Sequence, residues 1–282
     1  MSRGSRRVPV RGVLITSLLA LASLVSVAGA QASTLPVVSI AITPSSATVG
    51  GTLESGGVNV VSTDTGVKEA GVIVFLLKPG VSVAEAEAFV NEKKVKGDPN
   101  NTGKIGSIVF DTEANPGQPN EVQTNLQAGQ YLLLIGAGEG EPKVRASFTV
   151  AAAKAPATLP TPQAKIRSIE FGFRGPSTLH DGELVGFENE GFLVHMDIAA
   201  PVKNMKSARK AIKYLLNGNQ KALGKLIVGP PVTFAGPVSN GAYQQETINA
   251  RPGIYVQICF MQTQDGRDHA LLGMERIIKI TK

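Results

Sequence analysis

From residue 36 onward the chain reads as short apolar runs rich in β-branched residues, set off by Gly, Pro, Asn and Asp. Residues 36–42, 58–61, 72–77, 105–110 and 131–135 form one series, and residues 165–173, 184–187, 192–198, 255–260 and 275–280 a second. Runs of this length between turn residues predict strands, and their number predicts sandwiches. Two stretches depart from this pattern, with apolar residues at helical spacing. One is residues 82–95, with Ala84, Ala88 and Phe89 on one face; the other is about 205–226, with Ala208, Ile212, Leu215 and Leu223. The predicted class is all-β, with one helix inserted in each series.

The two series repeat each other. Gly129-Gln130-Tyr131, opening an apolar run, corresponds to Gly253-Ile254-Tyr255, an offset of 124. Gly66 and Gly191, each ahead of a run that leads to a proline (Pro79, Pro201), are offset by 125. A stable offset over such a span argues duplication. Between the copies, residues 151–164 contain Pro156, Pro160 and Pro162 and little that could form a core, which predicts a semi-extended linker. The expected organisation is an N-terminal segment 1–32, a β domain 33–150, the linker 151–164 and a second β domain 165–282, each domain of ordinary size.

The formal net charge of +6 points toward nucleic acid until it is located along the chain. Residues 1–32 hold Arg3, Arg6, Arg7 and Arg11, no acid, an apolar stretch 13–27 and two small-x-small sites, Ala28-Gly29-Ala30 and Ala30-Gln31-Ala32. This is the pattern of a cleaved export signal. A retained anchor is the other reading of the apolar stretch, which is short for a membrane span. Export, to a periplasmic or extracellular location and with no stable membrane insertion after cleavage, is the expectation. The remaining chain has 24 basic and 22 acidic residues, so the basicity belongs largely to the signal. With no Trp and 5% aromatic residues, a base-stacking surface is poorly supplied as well. No nucleic-acid partner is expected. Lys206, Arg209, Lys210 and Lys213 make one basic stripe on the second helix, a solvated face in the plainer reading and a dock for an acidic redox partner or an anionic polymer in the sharper one.

The chain has one cysteine, so no disulfide framework can form within it. In an oxidising compartment a lone thiol is either buried and inert or held as a metal thiolate. Cys259 ends an apolar run; His269 follows ten residues later and Met274 five after that, with His195 on an earlier run of the same copy. One thiolate, two imidazoles and a thioether are the donor set of blue-copper electron-transfer sites, where the first three form a trigonal plane and the thioether is a long axial ligand.

These motifs give the second copy a resemblance to the cupredoxins, the plastocyanin- and azurin-like blue copper proteins. Gly253, Tyr255 and Cys259 match their G-x-Y-x-x-x-C strand, and His269, Gly273 and Met274 match their H-x-x-x-G-M loop end. Phe187, Asn189 and Gly191 match the F-x-N-x-G lead-in to the first histidine, here His195. The resemblance covers about residues 165–282. It implies a Greek-key β-sandwich and one type 1-like copper per chain, held by His195, Cys259 and His269 with Met274 axial. The implied role is one-electron transfer or copper handling, with a redox partner protein. Two departures stand out. The Cys-to-His loop is longer than in small plastocyanins, and Met196 stands where many members carry a polar residue that steadies the thiolate. The first copy resembles the scaffold without the site: Ala70 falls at the His195 position and Ile135 at the Cys259 position, and residues 33–150 contain no His, Cys or Met.

Three histidines in all leave too few for the further histidine-only copper centres of copper oxidases and nitrite reductases, so no enzyme is expected. His180 is expected to be a turn residue, and Asn100-Asn101-Thr102 fits a glycosylation acceptor. The competing reading, from another class, is a secreted metal-free β-sandwich interaction module in which Cys259 is a core thiol. The oligomeric state is open. Convergence of His195, Cys259, His269 and Met274 on one point separates the two readings.

Overall fold

The computed structural model describes residues 34–91, 99–138 and 142–282. The expected export signal lies outside these residues, as do positions 92–95 of the first expected helix. The first copy contributes β1 (Val37–Ile42), β2 (Ala47–Gly51), β3 (Gly56–Asp64), β4 (Ala70–Leu77), β5 (Gly106–Ala114), β6 (Asn120–Leu126), β7 (Gly129–Ala137) and β8 (Lys143–Val150). The second contributes β9 (Ala164–Ile169), β10 (Gly172–Arg174), β11 (Thr178–His180), β12 (Leu184–Asn189), β13 (His195–Val202), β14 (Val232–Val238), β15 (Tyr243–Thr247), β16 (Gly253–Ile258) and β17 (Glu275–Thr281). The chain is all-β, as expected.

The pairings show the same topology twice. β1 runs parallel to β3, and β9 to β12. β4 lies antiparallel between β5 and β7, with β8 beyond; β13 lies antiparallel between β14 and β16, with β17 beyond. Both repeated tyrosines make the same bond, Tyr131 Oη donating to the Gln127 carbonyl at 2.8 Å and Tyr255 Oη to the Arg251 carbonyl at 2.7 Å. This hydroxyl-to-upstream-backbone corner is a recurrent clamp of sandwich folds.

The copies meet edge to edge. β15 pairs with β6, Gln244 opposite Thr124 and Gln245 opposite Gln123, so one eight-stranded sheet runs β10-β9-β12-β15-β6-β3-β1-β2. The linker lies along this sheet: the Gly57 N–H donates to the Ala157 carbonyl at 2.7 Å, and Gln245 Nε2 donates to the Pro160 carbonyl at 3.0 Å. Gly56, at φ +124°, sits under the linker, where a Cβ would come within 2.9 Å of the Ala157 nitrogen.

The core explains the unbroken apolar run of β7. Tyr131, Leu133 and Ile135 pack inside the first sandwich with Val72, Val74 and Phe110. Leu132 and Leu134 join Phe75 and Leu77 in a cluster with Ile166, Phe187, Phe234 and Tyr255 of the second copy. A sheet buried on both faces loses polar alternation. Along this seam, β5 places Asp111 against Gly236 of β14, where a Cβ would lie 2.4 Å from the Asp111 carboxyl. Burial, reinforced by Glu113, pushes the Asp111 carboxyl well above its ordinary range, and the same two causes push Glu246 of β15 up to about 8.

The helices are shorter than their patterns predict. Helix α1 (Val83–Val90) starts on a capping box in which Ser82 and Glu85 bond each other's backbone N–H. The second expected helix divides into α2 (Met205–Leu216) and α3 (Gln220–Gly224). Gly218, at φ +65°, turns the chain between them, and Asn219 caps the new start. Asn-Gly-Asn outweighs the apolar periodicity there, so the expected single insert is corrected to two helices. The expected strand 165–173 is also split, by a turn at Glu170 and Phe171, the latter at φ +54°.

Candidate metal centre

His195 opens β13 and faces inward because the strand bulges beside it: the register against β14 shifts between His195 and Asp197 and again before Ile198. Bulges re-aim side chains in this way. The expected strand start at 192 is wrong by three residues, since the stretch before His195 is a loop held by side chains. Asn189 Nδ2 donates to the Leu193 and Val238 carbonyls at 2.9 and 2.8 Å, and its Oδ1 accepts from the Gly191 N–H at 2.9 Å. Asn240 Nδ2 donates to the Gly191 carbonyl at 2.8 Å, and the Leu193 N–H donates to Glu170 Oε1 at 3.0 Å. The asparagine and glycine of the lead-in motif thus have separate tasks. Asn189 ties the loop, and Gly191 leaves room for what packs on it: a Cβ there would lie 2.6 Å from both Glu170 Oε1 and His195 Nε2.

Cys259 follows β16, and its N–H donates to the Met274 carbonyl at 3.1 Å. The Met274 N–H donates to the His269 carbonyl at 3.0 Å, and the His269 N–H to the Met261 carbonyl at 2.8 Å. Gly273, at φ +107°, closes the short 3₁₀ turn His269–Leu272. The extra loop length is taken up by a small self-braced hairpin. Gln262 pairs with Asp268, its Nε2 donating to Asp268 Oδ1 at 2.7 Å, and the Gly266 N–H donates to the Thr263 carbonyl at 2.8 Å. The excursion therefore returns His269 to the side of Cys259.

His195, Cys259 and His269 converge, each fully buried. The two Nδ1 atoms are 3.1 Å apart, and Cys259 Sγ is 3.8 Å from that of His195 and 3.5 Å from that of His269. One cation at ordinary bond lengths, about 2.0 Å to imidazole nitrogen and about 2.3 Å to thiolate sulfur, holds such donors roughly 3.3–3.7 Å apart. The observed triangle comes within about 0.2 Å of that spacing on every side. Met274 is also fully buried, and its backbone bonds to both Cys259 and His269. His180 is elsewhere, exposed at the end of β11 with Nδ1 2.8 Å from Thr281 Oγ1.

The pocket favours neutral groups. Burial, and then His269, push His195 down to about 4, and burial lowers His269. Burial pushes the Cys259 thiol up to about 12, against the pull of the Met196 and Met261 backbone N–H groups. The Met196 N–H lies 3.5 Å from Sγ, so the contact that the Met196 side chain could not supply comes from its main chain. Behind the site, Asp197 accepts from Gln257 Nε2 at 2.7 and 2.6 Å, and Arg276 Nε donates to Gln257 Oε1. Burial pushes Asp197 up to about 7, despite these partners.

Glu170 was not among the residues singled out in the sequence. Its Oε1 stands 3.6 Å from His195 Nε2, and Phe171 meets the His269 ring edge-on at a centroid distance of 5.2 Å. Burial works to raise its carboxyl, but the Leu193 and Phe192 N–H groups and His195 hold it below its ordinary value. It is one of three charged residues in the expected run 165–173, with Lys165 and Arg167, so its charge alone did not single it out.

No protein-family model matches this chain, and no curated protein matches it. Solved structures with a similar fold include auracyanin B, at 18% identity and TM-score 0.27, over 44% of this chain and 94% of that one. A reduced auracyanin from the photosynthetic bacterium Roseiflexus castenholzii gives 19% and 0.25, over 42% and 95%. A copper-containing nitrite reductase from Thermus scotoductus gives 13% and 0.26, over 87% and 67%. These are distant likenesses of fold. They correct one expectation: the histidine count was read as excluding an enzyme, yet a reductase is among the proteins of similar fold. A histidine count limits the centres one chain builds alone and does not define activity.

Proposed function

We propose that this chain is an exported cupredoxin-like protein that binds one copper ion and acts in one-electron transfer or copper handling outside the cytoplasm. His195, Cys259 and His269 would hold the ion, with Met274 as the weak fourth ligand. The observation that carries the reading is the convergence of two imidazole Nδ1 atoms and one thiol sulfur, 3.1–3.8 Å apart, in a fully buried pocket. Two imidazoles and a thiolate with a thioether nearby form the set suited to a copper that cycles between Cu(I) and Cu(II).

The chain's own groups support this use. Main-chain bonds from Cys259 to Met274 and from Met274 to His269 fix three of the four residues to one another. The dry surroundings keep both imidazoles neutral, the state in which Nδ1 can act as a ligand. Phe192, Phe260 and Leu271, on the segments that carry the donors, are exposed apolar side chains at which a redox partner can approach. Export is supported by the basic, apolar and small-residue pattern of residues 1–32. No helix among the described residues is long and apolar enough to cross a membrane.

Titration of the purified chain with Cu(II) tests the reading. An intense visible thiolate-to-copper band that disappears in Cys259→Ser is the expected result. A colourless complex that survives Cys259→Ser overturns it.

A further inference from the structure

Three of the side chains that hold the loop before His195 belong to the second copy: Asn189, Asn240 and Glu170. A fourth comes from the first copy. Asn100 Oδ1 accepts from the Val194 N–H at 2.7 Å, and its Nδ2 donates to the Gln262 carbonyl at 3.2 Å. Val194 immediately precedes His195. Gln262 lies in the hairpin between Cys259 and His269, one residue from the Met261 carbonyl that accepts from the His269 N–H. One asparagine thus bonds both segments that carry the three converging donors.

An asparagine suits this place because its short arm ends in one acceptor and one donor. The element that presents it is itself fixed. Asn100 sits on the 3₁₀ turn Pro99–Lys104, where Thr102 Oγ1 donates to the Pro99 carbonyl at 2.6 Å. The Ile105 N–H donates to the Thr102 carbonyl at 3.0 Å, and the Lys78 N–H donates to the Ile105 carbonyl at 2.8 Å. That last bond ties the turn to the end of β4. With Nδ2 committed to Gln262, Asn100 also has a role inside the fold apart from the glycosylation match.

We propose that Asn100 is a positioning residue: the copy without ligands holds the His195 lead-in against the Cys259–His269 hairpin and so sets the spacing of the donors. The consequence for the metal rests on the copper reading above; the tie between the segments does not.

The test uses the full chain and compares Asn100→Ala, Asn100→Asp and Ser239→Ala. In the metal-free protein, amide exchange at Val194 is expected to rise about tenfold or more in Asn100→Ala, as for loss of a hydrogen bond of ordinary strength. It should stay slow in Asn100→Asp, whose carboxylate still accepts. The Leu193 amide, bonded to Glu170, is the internal control and should not change. With Cu(II), Asn100→Ala is expected to bind about tenfold more weakly or worse, with a displaced visible band. Ser239→Ala removes a different bond between the copies, from the Ile108 N–H at 2.9 Å, and should lower Tm without moving the band or the affinity. Unchanged Val194 exchange in Asn100→Ala overturns the proposal. So does an unchanged band and affinity, or an equal copper effect from Ser239→Ala. If the parent chain shows no thiolate-to-copper band, the copper reading fails on its own, and the Val194 exchange still decides the tie.

Discussion

Under the copper reading, Cys259 and the two histidines set how proton and metal compete at the site. The thiol is held up at about 12, so at neutral pH the metal-free site carries its proton on sulfur. His195 is held down at about 4 and His269 is lowered from the ordinary 6.5, so above that ordinary value neither imidazole has an extra proton to give up. If copper binds through sulfur, its uptake must release one proton, and its apparent affinity should rise about tenfold per pH unit between about pH 7 and 8.5. Competition titrations against a chelator across that range check this; a flat profile would mean that sulfur is not a ligand. Gly191 permits a second prediction at this scale. Alanine there would drive a methyl into the Glu170 carboxylate and the His195 ring, each 2.6 Å from the added carbon. Gly191→Ala should weaken copper binding at least about tenfold while the circular dichroism of the sheets persists. Equal affinity would show that the ring can move aside freely.

At the level of elements, strands whose two faces differ are easily read from sequence, and elements shaped by distant partners are not. β1 alternates exposed and buried residues and was expected within one residue of its observed bounds. β7 shows no alternation, because Leu132 and Leu134 are claimed by the other copy. The residues 192–194 resemble a strand by composition, but their backbone bonds go to Glu170, Asn189 and Asn100, one of which is 94 positions away from Val194. No local pattern encodes such partners. The converging residues His195, Cys259 and His269 were legible because their chemistry is rare in this chain, with one Cys and three His. The Tyr131 and Tyr255 corners offer a direct comparison of the copies. Tyr131→Phe and Tyr255→Phe should each cost about 1 kcal/mol in urea unfolding, since each removes one hydroxyl-to-carbonyl bond. Tyr131 also accepts from the Gln127 N–H, so its substitution should be the costlier. The reverse order would show that the additional bond from the Gln127 N–H does not stabilise the first corner.

For the molecule as a whole, the seam carries a pH dependence. Glu246 is held up at about 8 by burial and by Glu113, whereas an unfolded glutamate titrates near 4.5. Between these values the folded chain binds the extra proton, so stability is greatest below about pH 4.5 for this group and is lost as pH rises through about 8. Asp111, raised by the same causes, has the same sign. Thermal unfolding followed from pH 5 to 8.5 should show Tm falling. Glu246→Gln should flatten the fall and gain at least about 2 °C at pH 8.5, the shift that about 1 kcal/mol produces in a chain of this size. An undiminished fall in Glu246→Gln would place the effect at Asp111 or elsewhere.

The join between β6 and β15 has a consequence for inheritance. After a duplication, a copy that has lost its reactive residues is ordinarily free to decay, because its loss costs the cell nothing. Here the copy without histidine or cysteine supplies the neighbouring strand of a shared sheet and one wall of a shared core. A frameshift or deletion within it would strip the other copy of both. Selection for whatever the second copy does therefore acts on the sequence of the first, and the spare gene segment is retained as part of a single heritable unit.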